Sequence, residues 1–180
     1  MSKKVLTVLT VVASVLLLAS IFANLFSVYV GVSSDTFVPF DYVVAIALSI
    51  ASILAVYYAL TGCRKGEGSV YFRWFMFSLA LVQLIALFQH ASMSILTVLM
   101  LTISFGCLLV LFIAKDLGQK LSTLLAGIVS AAAVAQFIIA AATGTLAVAW
   151  VKIATLTLLA LTALLMVFAK YADKKARGSK

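Results

Sequence analysis

The chain has 180 residues, of which 66% are hydrophobic and only 10% are charged. A soluble domain is roughly 45–50% apolar, so this chain lacks the polar residues needed to cover a soluble core, and it is too apolar to be disordered. The formal net charge of +8 is carried by short basic clusters between long apolar runs. Because no basic stripe follows a helix, we expect no nucleic acid partner. The composition predicts a protein embedded in lipid.

Long stretches without a formal charge predict the membrane-spanning helices. Residues 5–34 form a run of 30 such residues, and residues 42–63 form a run of 22. Each run matches one helix, because about 20 apolar residues cross the hydrocarbon core. The run 74–114 has 41 residues, which as a single helix would be about 60 Å long at ~1.5 Å per residue. This third run must therefore fold back on itself.

Two polar segments mark the predicted hairpin turns, one at residues 89–94 and one at residues 143–145. No loop is long enough to hold a soluble domain, so residues 1–180 are predicted to form a single membrane domain. The fold class is all-α, a polytopic transmembrane bundle of six helices with short loops. The predicted spans are approximately 5–30, 42–62, 71–89, 94–114, 121–143 and 147–169.

The distribution of basic residues predicts the topology. Lys and Arg are enriched in cytoplasmic loops, and with six spans all but one of the 13 basic residues fall on the same side. Lys152 is the exception. Both termini are therefore predicted to be cytoplasmic, in a multi-pass protein of the cell membrane. The basic residues assigned to the inner side are Lys3, Lys4, Arg64, Lys65, Arg73, Lys115, Lys120, Lys170, Lys174, Lys175, Arg177 and Lys180.

Residues that carry common catalytic or metal chemistry are scarce. The cysteines, Cys63 and Cys107, approach the predicted reducing side and are expected to be packing residues without a disulfide. A single histidine, His90, provides neither paired haem ligands nor a zinc site within one chain, although a site shared between subunits is left open. No carboxylate lies inside a predicted span, which argues against a proton relay. We expect no enzymatic activity, no bound metal and no cofactor.

Four strongly polar side chains lie at a similar depth in four predicted spans: Asn24, Gln83, Gln136 and Lys152. Each is five to seven residues from the predicted outer boundary, or about 8–11 Å at ~1.5 Å per residue. Because an unpaired amide is costly in hydrocarbon, these groups are expected to face the bundle interior.

This polar layer has two interpretations. The first is a set of hydrogen bonds between helices, with Lys152 extending its ammonium to the outer headgroups beside Trp150. The second is an outward-facing pocket for a small or anionic solute, with Lys152 as its cationic anchor. Convergence on one cavity would favour the pocket, whereas tight pairing or contact with lipid would favour hydrogen bonds between helices.

Small residues recur every four positions along the fifth predicted span, at Gly127, Ala131 and Ala135. This spacing permits close approach between helices, either within the chain or between subunits. We therefore predict a non-catalytic integral membrane protein, a structural or accessory subunit of a membrane complex. The alternative is a solute-binding or transport subunit. The expected partners are the lipid bilayer and other membrane subunits or further copies of the chain, with a small anionic solute under the alternative.

Overall fold

The computed structural model describes residues 3–33, 39–59, 68–89, 95–114, 117–144 and 146–178. Within these ranges the chain forms six α-helices joined by short connections and contains no β-strand, as the sequence predicts. The helices are α1 (Lys3–Ser33), α2 (Pro39–Tyr57), α3 (Gly68–Gln89), α4 (Ile95–Ile113), α5 (Gln119–Ala142) and α6 (Leu146–Gly178).

The helices have the length and composition of membrane-spanning segments. Five of them contain an apolar stretch long enough to cross a bilayer, and α2 contains a shorter one, Tyr42–Tyr57. Large apolar side chains also cover much of the outer surface, for example Phe22 and Phe26 on α1 and Ile138 on α5. Exposed apolar surface on this scale matches contact with lipid and not with water. The fold defines a multi-pass helical membrane protein.

One helix end differs clearly from its predicted boundary, and another predicted end lies outside the described residues. The α-helical part of α2 ends at Tyr57 and a wider π-type turn follows at residues 58 and 59, so the predicted end of this span at residue 62 is beyond the described range 39–59. At the other end of the chain, α6 continues to Gly178, past the predicted boundary at residue 169. The sequence of this extension is rich in Lys, Ala and Arg, which have high helix propensity. Basic residues also interact favourably with the C-terminal end of a helix.

Helices that are consecutive in the chain pack against each other, and α6 also packs against α1 to close the bundle. The last helix contacts α2 and α3 as well, so it lies across the interior of the bundle. The core is built from leucine, alanine and a few aromatic side chains, among them Leu17, Phe75 and Leu159, which are fully buried. The small alanines allow the close helix spacing that such packing requires.

Contacts at one end of the bundle establish the antiparallel order of α2 to α6. At this end, which we call the basic end, the Tyr57 and Tyr71 rings meet edge to face with 4.7 Å between centroids, joining the end of α2 to the start of α3. The Lys170 ammonium on α6 lies 5.2 Å from the centroid of the Phe72 ring. Arg73 and Lys120, at the starts of α3 and α5, lie at the same end.

The opposite end includes the α5–α6 hairpin, where Gly144 adopts a φ of 75° that favours glycine.

The other predicted hairpin turn, at residues 89–94, falls mainly on residues 90–94, which lie outside the described residues. His90 belongs to this segment, and Cys63 likewise falls outside the described ranges. Of the two cysteines, the structure therefore describes Cys107, which is half-buried on α4 with a free thiol.

Candidate functional site

Asn24 is buried at the interface between α1 and α6. Its amide nitrogen Nδ2 donates a hydrogen bond to Thr155 Oγ1 at 3.0 Å and lies 2.8 Å from its second acceptor, the Ser20 carbonyl oxygen one turn earlier on α1. The Thr155 hydroxyl in turn donates to the Val151 carbonyl at 2.7 Å. The amide nitrogen of Asn24 is thus satisfied within the protein, and the residue acts as a hydrogen-bonding link between the first and last helices.

Lys152 lies three residues before Thr155 on α6 and is half-buried. The aliphatic part of its side chain is therefore close in depth to the Asn24–Thr155 contact. At this position a lysine can bury its methylene groups along apolar surface and extend its ammonium toward the nearer end of the helix.

Gln83 is buried on the core face of α3, in line with Phe72, Met76 and Leu79. Only 1% of the side chain is exposed, and its amide oxygen Oε1 has no hydrogen-bond partner among the described residues. A buried acceptor without a partner costs about 1–3 kcal/mol. The described residues around Gln83 therefore provide no hydrogen-bond donor for its amide oxygen.

Gln136 presents the complementary group on α5. Its amide nitrogen Nε2 is buried and finds no hydrogen-bond partner in the part of the chain that the structure describes. The residue lies on the α5 face that carries Val129, Ala133 and Ala140, all of which are buried. Gln83 thus offers an unused acceptor and Gln136 an unused donor.

Ser104 on α4 is a third buried polar residue with an unpaired side-chain oxygen. It is completely buried, and sequence analysis does not single it out. Other buried serines, such as Ser49, Ser52 and Ser130, donate to the carbonyl four residues earlier at 2.8–2.9 Å. This is the usual arrangement in membrane helices, and no sequence signal distinguishes Ser104 from them.

Direct contacts between helices give the relative depths of these groups. Ser130 Oγ is 2.9 Å from the Ala160 carbonyl oxygen, so Gln136, six residues further along α5, lies opposite residue 154 and next to Thr155. The contact between Lys170 and the Phe72 ring places Gln83 opposite Leu159. Along the bundle axis Gln83 and Gln136 are therefore about 8 Å apart, at ~1.5 Å per residue.

The same reasoning places Ser104 close in depth to Gln83. The Arg73 Nε atom donates to the Phe112 carbonyl oxygen at 2.7 Å. Ser104 lies eight residues before Phe112 on α4, and so is opposite residue 81 of α3. It is thus about 3 Å from Gln83 along the axis at ~1.5 Å per residue.

The polar residues therefore form a band with two levels. Asn24, Gln136 and Lys152 lie at the level of Thr155, and Gln83 and Ser104 lie one to two turns nearer the basic end. The Asn24 amide nitrogen is hydrogen-bonded inside the protein. In contrast, Gln83, Gln136 and Ser104 each have one buried polar side-chain atom without a hydrogen-bond partner among the described residues. Each of the three atoms is a hydrogen-bonding group that the described part of the protein leaves unused. Within the described part of the chain, no three His, Cys, Asp or Glu residues are grouped as a metal site.

The small residues of α5 do not form its packing face inside the bundle. Ala131 is exposed, Gly127 and Ala135 are half-buried, and a Cβ added at Gly127 would meet no atom within 4 Å. The contact with α6 instead uses Ser130 and Ala133. The Thr157 hydroxyl donates to the Ala133 carbonyl oxygen at 3.4 Å. Of the predicted small-residue face, Ala131 is on the outer surface, and Gly127 and Ala135 are only partly covered by the bundle.

Scans against protein-family models, curated proteins and solved structures give no match for this chain. The fold by itself defines the class, an integral membrane protein of the multi-pass helical type in contact with the lipid bilayer.

Proposed function

We propose that the protein is a solute-binding subunit of the membrane that holds a small neutral polar molecule between α3, α4 and α5. The observation that supports this function is the set of three buried polar atoms without partners: Gln83 Oε1, Ser104 Oγ and Gln136 Nε2. Each such atom costs about 1–3 kcal/mol when unpaired. A bound molecule that satisfies all three recovers this free energy.

The chemistry of the three groups indicates the class of solute. One amide supplies an acceptor, the other supplies a donor, and the serine hydroxyl serves as either. A molecule with both donor and acceptor groups, such as a small amide, a urea or a polyol, matches this set. Lys152 extends the preference to anionic solutes only if its ammonium reaches the same space.

The experiment measures thermal unfolding of the purified protein with and without acetamide, urea or glycerol at millimolar concentration. A ligand that binds only the folded state stabilises it by about 2.7 kcal/mol at ~100 times its Kd. We expect at least one probe to raise the Tm of the wild type, and Gln83→Leu and Gln136→Leu to abolish the increase while remaining folded.

Asn24→Leu is the matched control, because it removes a buried amide whose nitrogen is already paired with Thr155. We expect this variant to have a lower Tm but the same response to the solute. If none of the probes stabilises the wild type while Gln83→Leu is more stable than the wild type, the buried atoms do not form a binding site and the proposal is wrong.

The second candidate function is that of a structural subunit, and the exposed small-residue face of α5 favours it. Gly127, Ala131 and Ala135 would let a helix of another subunit approach closely. The test is the size of the complex extracted from native membranes in mild detergent. Ala131→Leu should reduce the complex to a monomer, whereas Ala141→Leu, at an exposed alanine ten residues further along α5, should not. A wild-type protein that extracts as a monomer would contradict this function.

A further inference from the structure

Arg73 is held in a fixed orientation at the basic end of the bundle. Its Nε atom donates to the Phe112 carbonyl oxygen at 2.7 Å, and its guanidinium carbon lies 5.4 Å from the centroid of the Phe112 ring. The carbonyl belongs to the last turn of α4, where it has no partner within the helix. One edge of the guanidinium is thus fixed by α4.

The other edge of this guanidinium is not used by any of the described residues. The two terminal nitrogens of Arg73 have no hydrogen-bond or ion-pair partner among the described residues. Arginine presents its donors in a planar fork that matches the geometry of a phosphate group. The side chain is only half-buried, so an anion can reach it from outside the bundle.

The surroundings of Arg73 are aromatic and face outward. Trp74 is about half-exposed, and its ring lies 5.9 Å from the Phe77 ring and 6.3 Å from the Phe112 ring, measured between centroids. The Phe77 and Phe112 centroids are 5.1 Å apart. A tryptophan near the end of a spanning helix is typical of the headgroup level of the membrane.

Arg73 also lies near one end of the apolar segment of α3. It is the fourth residue of the apolar segment Val70–Leu87 of α3, about 5 Å from the start of that segment at ~1.5 Å per residue. A cation at this depth is close to lipid phosphates, and the apolar rings beside it are close to the first methylene groups of the acyl chains.

We propose that Arg73 and the aromatic cluster of Trp74, Phe77 and Phe112 form a binding site for one anionic phospholipid. The guanidinium binds the headgroup phosphate through its two terminal nitrogens, and the aromatic rings pack against the acyl chains. The positive charge of Arg73 favours an anionic headgroup over a zwitterionic one, whose cationic group it repels. The occupant is a membrane lipid and not a free phosphate ion, because the rings form an apolar surface that only a lipid would cover.

The two tryptophans allow a local test. Trp74 lies at the proposed site, and Trp150 lies at the opposite end of the bundle and is equally exposed to its surroundings. The Trp150→Phe variant retains only Trp74 fluorescence, and the Trp74→Phe variant retains only Trp150 fluorescence. Both variants are reconstituted into phosphatidylcholine vesicles with acyl-brominated phosphatidylglycerol or acyl-brominated phosphatidylcholine at equal mole fraction. The bromine atoms quench a tryptophan only in direct contact.

We expect brominated phosphatidylglycerol to quench Trp74 more strongly than brominated phosphatidylcholine does, and the two lipids to quench Trp150 equally. Adding Arg73→Gln to the Trp150→Phe variant should remove the preference. Adding Lys120→Gln, which removes an exposed charge at the same end of the bundle, should leave the preference in place.

Three results would overturn the proposal. The first is equal quenching of Trp74 by both lipids. This measurement uses only the Trp150→Phe variant, so it tests the proposal even if Arg73→Gln fails to fold. The second is a preference that survives Arg73→Gln. The third is loss of the preference when inorganic phosphate is added, which would show that the site binds a free anion.

Discussion

Asn24 and Thr155 are joined by a hydrogen bond of 3.0 Å although 131 positions separate them in the chain. The bond connects α1 to α6 and so closes the bundle between its first and last helices. Because α1 has few buried residues and many large apolar residues on its outer side, this polar contact is a specific determinant of where α1 docks.

We predict that Thr155→Val destabilises the protein by roughly 0.6 kcal/mol and by no more than about 1.7 kcal/mol, the average and the maximum measured for side-chain hydrogen bonds between membrane helices. Valine preserves the shape of threonine but cannot accept the bond from Asn24. The free energy of unfolding in mixed micelles would be measured for Thr155→Val, Asn24→Leu and the double variant. If the two single effects simply add, the residues are not coupled and the hydrogen bond has no energetic role.

Two buried serines provide a matched comparison. Ser104 has no partner, whereas Ser130 Oγ lies 2.9 Å from the Ala160 carbonyl oxygen of α6. In the absence of solute we predict that Ser104→Ala is neutral or stabilising by up to about 1 kcal/mol, because it removes an unsatisfied hydroxyl. Ser130→Ala should destabilise by roughly 0.6 kcal/mol. Thermal unfolding of the two variants checks the prediction, and a larger loss at Ser104 than at Ser130 would contradict it.

Tyr171 joins the part of α6 at the basic end of the bundle to the connection between α4 and α5. Its hydroxyl donates to the Leu117 carbonyl oxygen at 2.6 Å and lies 3.0 Å from Ser122 Oγ. We predict that Tyr171→Phe costs about 1–2 kcal/mol, because the Leu117 carbonyl loses its donor. Ser122→Ala leaves that bond intact and should cost less. The measurement is the Tm of each variant in the same detergent, and equal losses would mean that the bond to Leu117 contributes little.

The predicted topology, with the basic loops and both termini on the cytoplasmic side, follows from the charge distribution and is tested by thiol labelling. In a Cys107→Ser background, the native Cys63 and a Ser179→Cys substitution should react with a membrane-impermeant maleimide only after the cells are permeabilised. With Cys63→Ser added, Asp35→Cys should react in intact cells. Labelling of Cys63 and of the Ser179→Cys variant from opposite sides would show that the number of crossings between them is odd.

Much of the fold was predictable because lipid imposes a simple requirement on the chain. Uninterrupted apolar runs of the length of a bilayer predicted the helices, and polar segments near residues 89–94 and 143–145 predicted where α3 and α5 would end. The helix ends were less predictable, as the change of α2 from α-helical to π-helical form after Tyr57 illustrates. There the packing of the Tyr57 ring against Tyr71 and of the Tyr58 ring against Phe72 accompanies the change of helical form.

The candidate site was predictable only in part. Sequence alone identified Asn24, Gln83 and Gln136 as the amides to examine and gave their depths, since depth follows from counting residues along a helix. Nothing in the sequence indicated that the Asn24 amide nitrogen would find a partner on α6 while one end of the Gln83 amide would not. Ser104 was not identified because its type and spacing match those of serines that simply bond to their own helix.

Hydrophobicity and charge, which belong to each residue individually, therefore determined that this chain is a six-helix membrane protein, and they predicted a basic end, at which the structure describes Arg73, Lys120 and Lys170. The pairing of Asn24 with Thr155, the isolation of Gln83, Ser104 and Gln136, and the exposure of Ala131 were decided by the tertiary structure. The rotation of each helix about its own axis sets these contacts, and that rotation depends on the side chains of several helices packing at once. No single segment of the sequence contains that information.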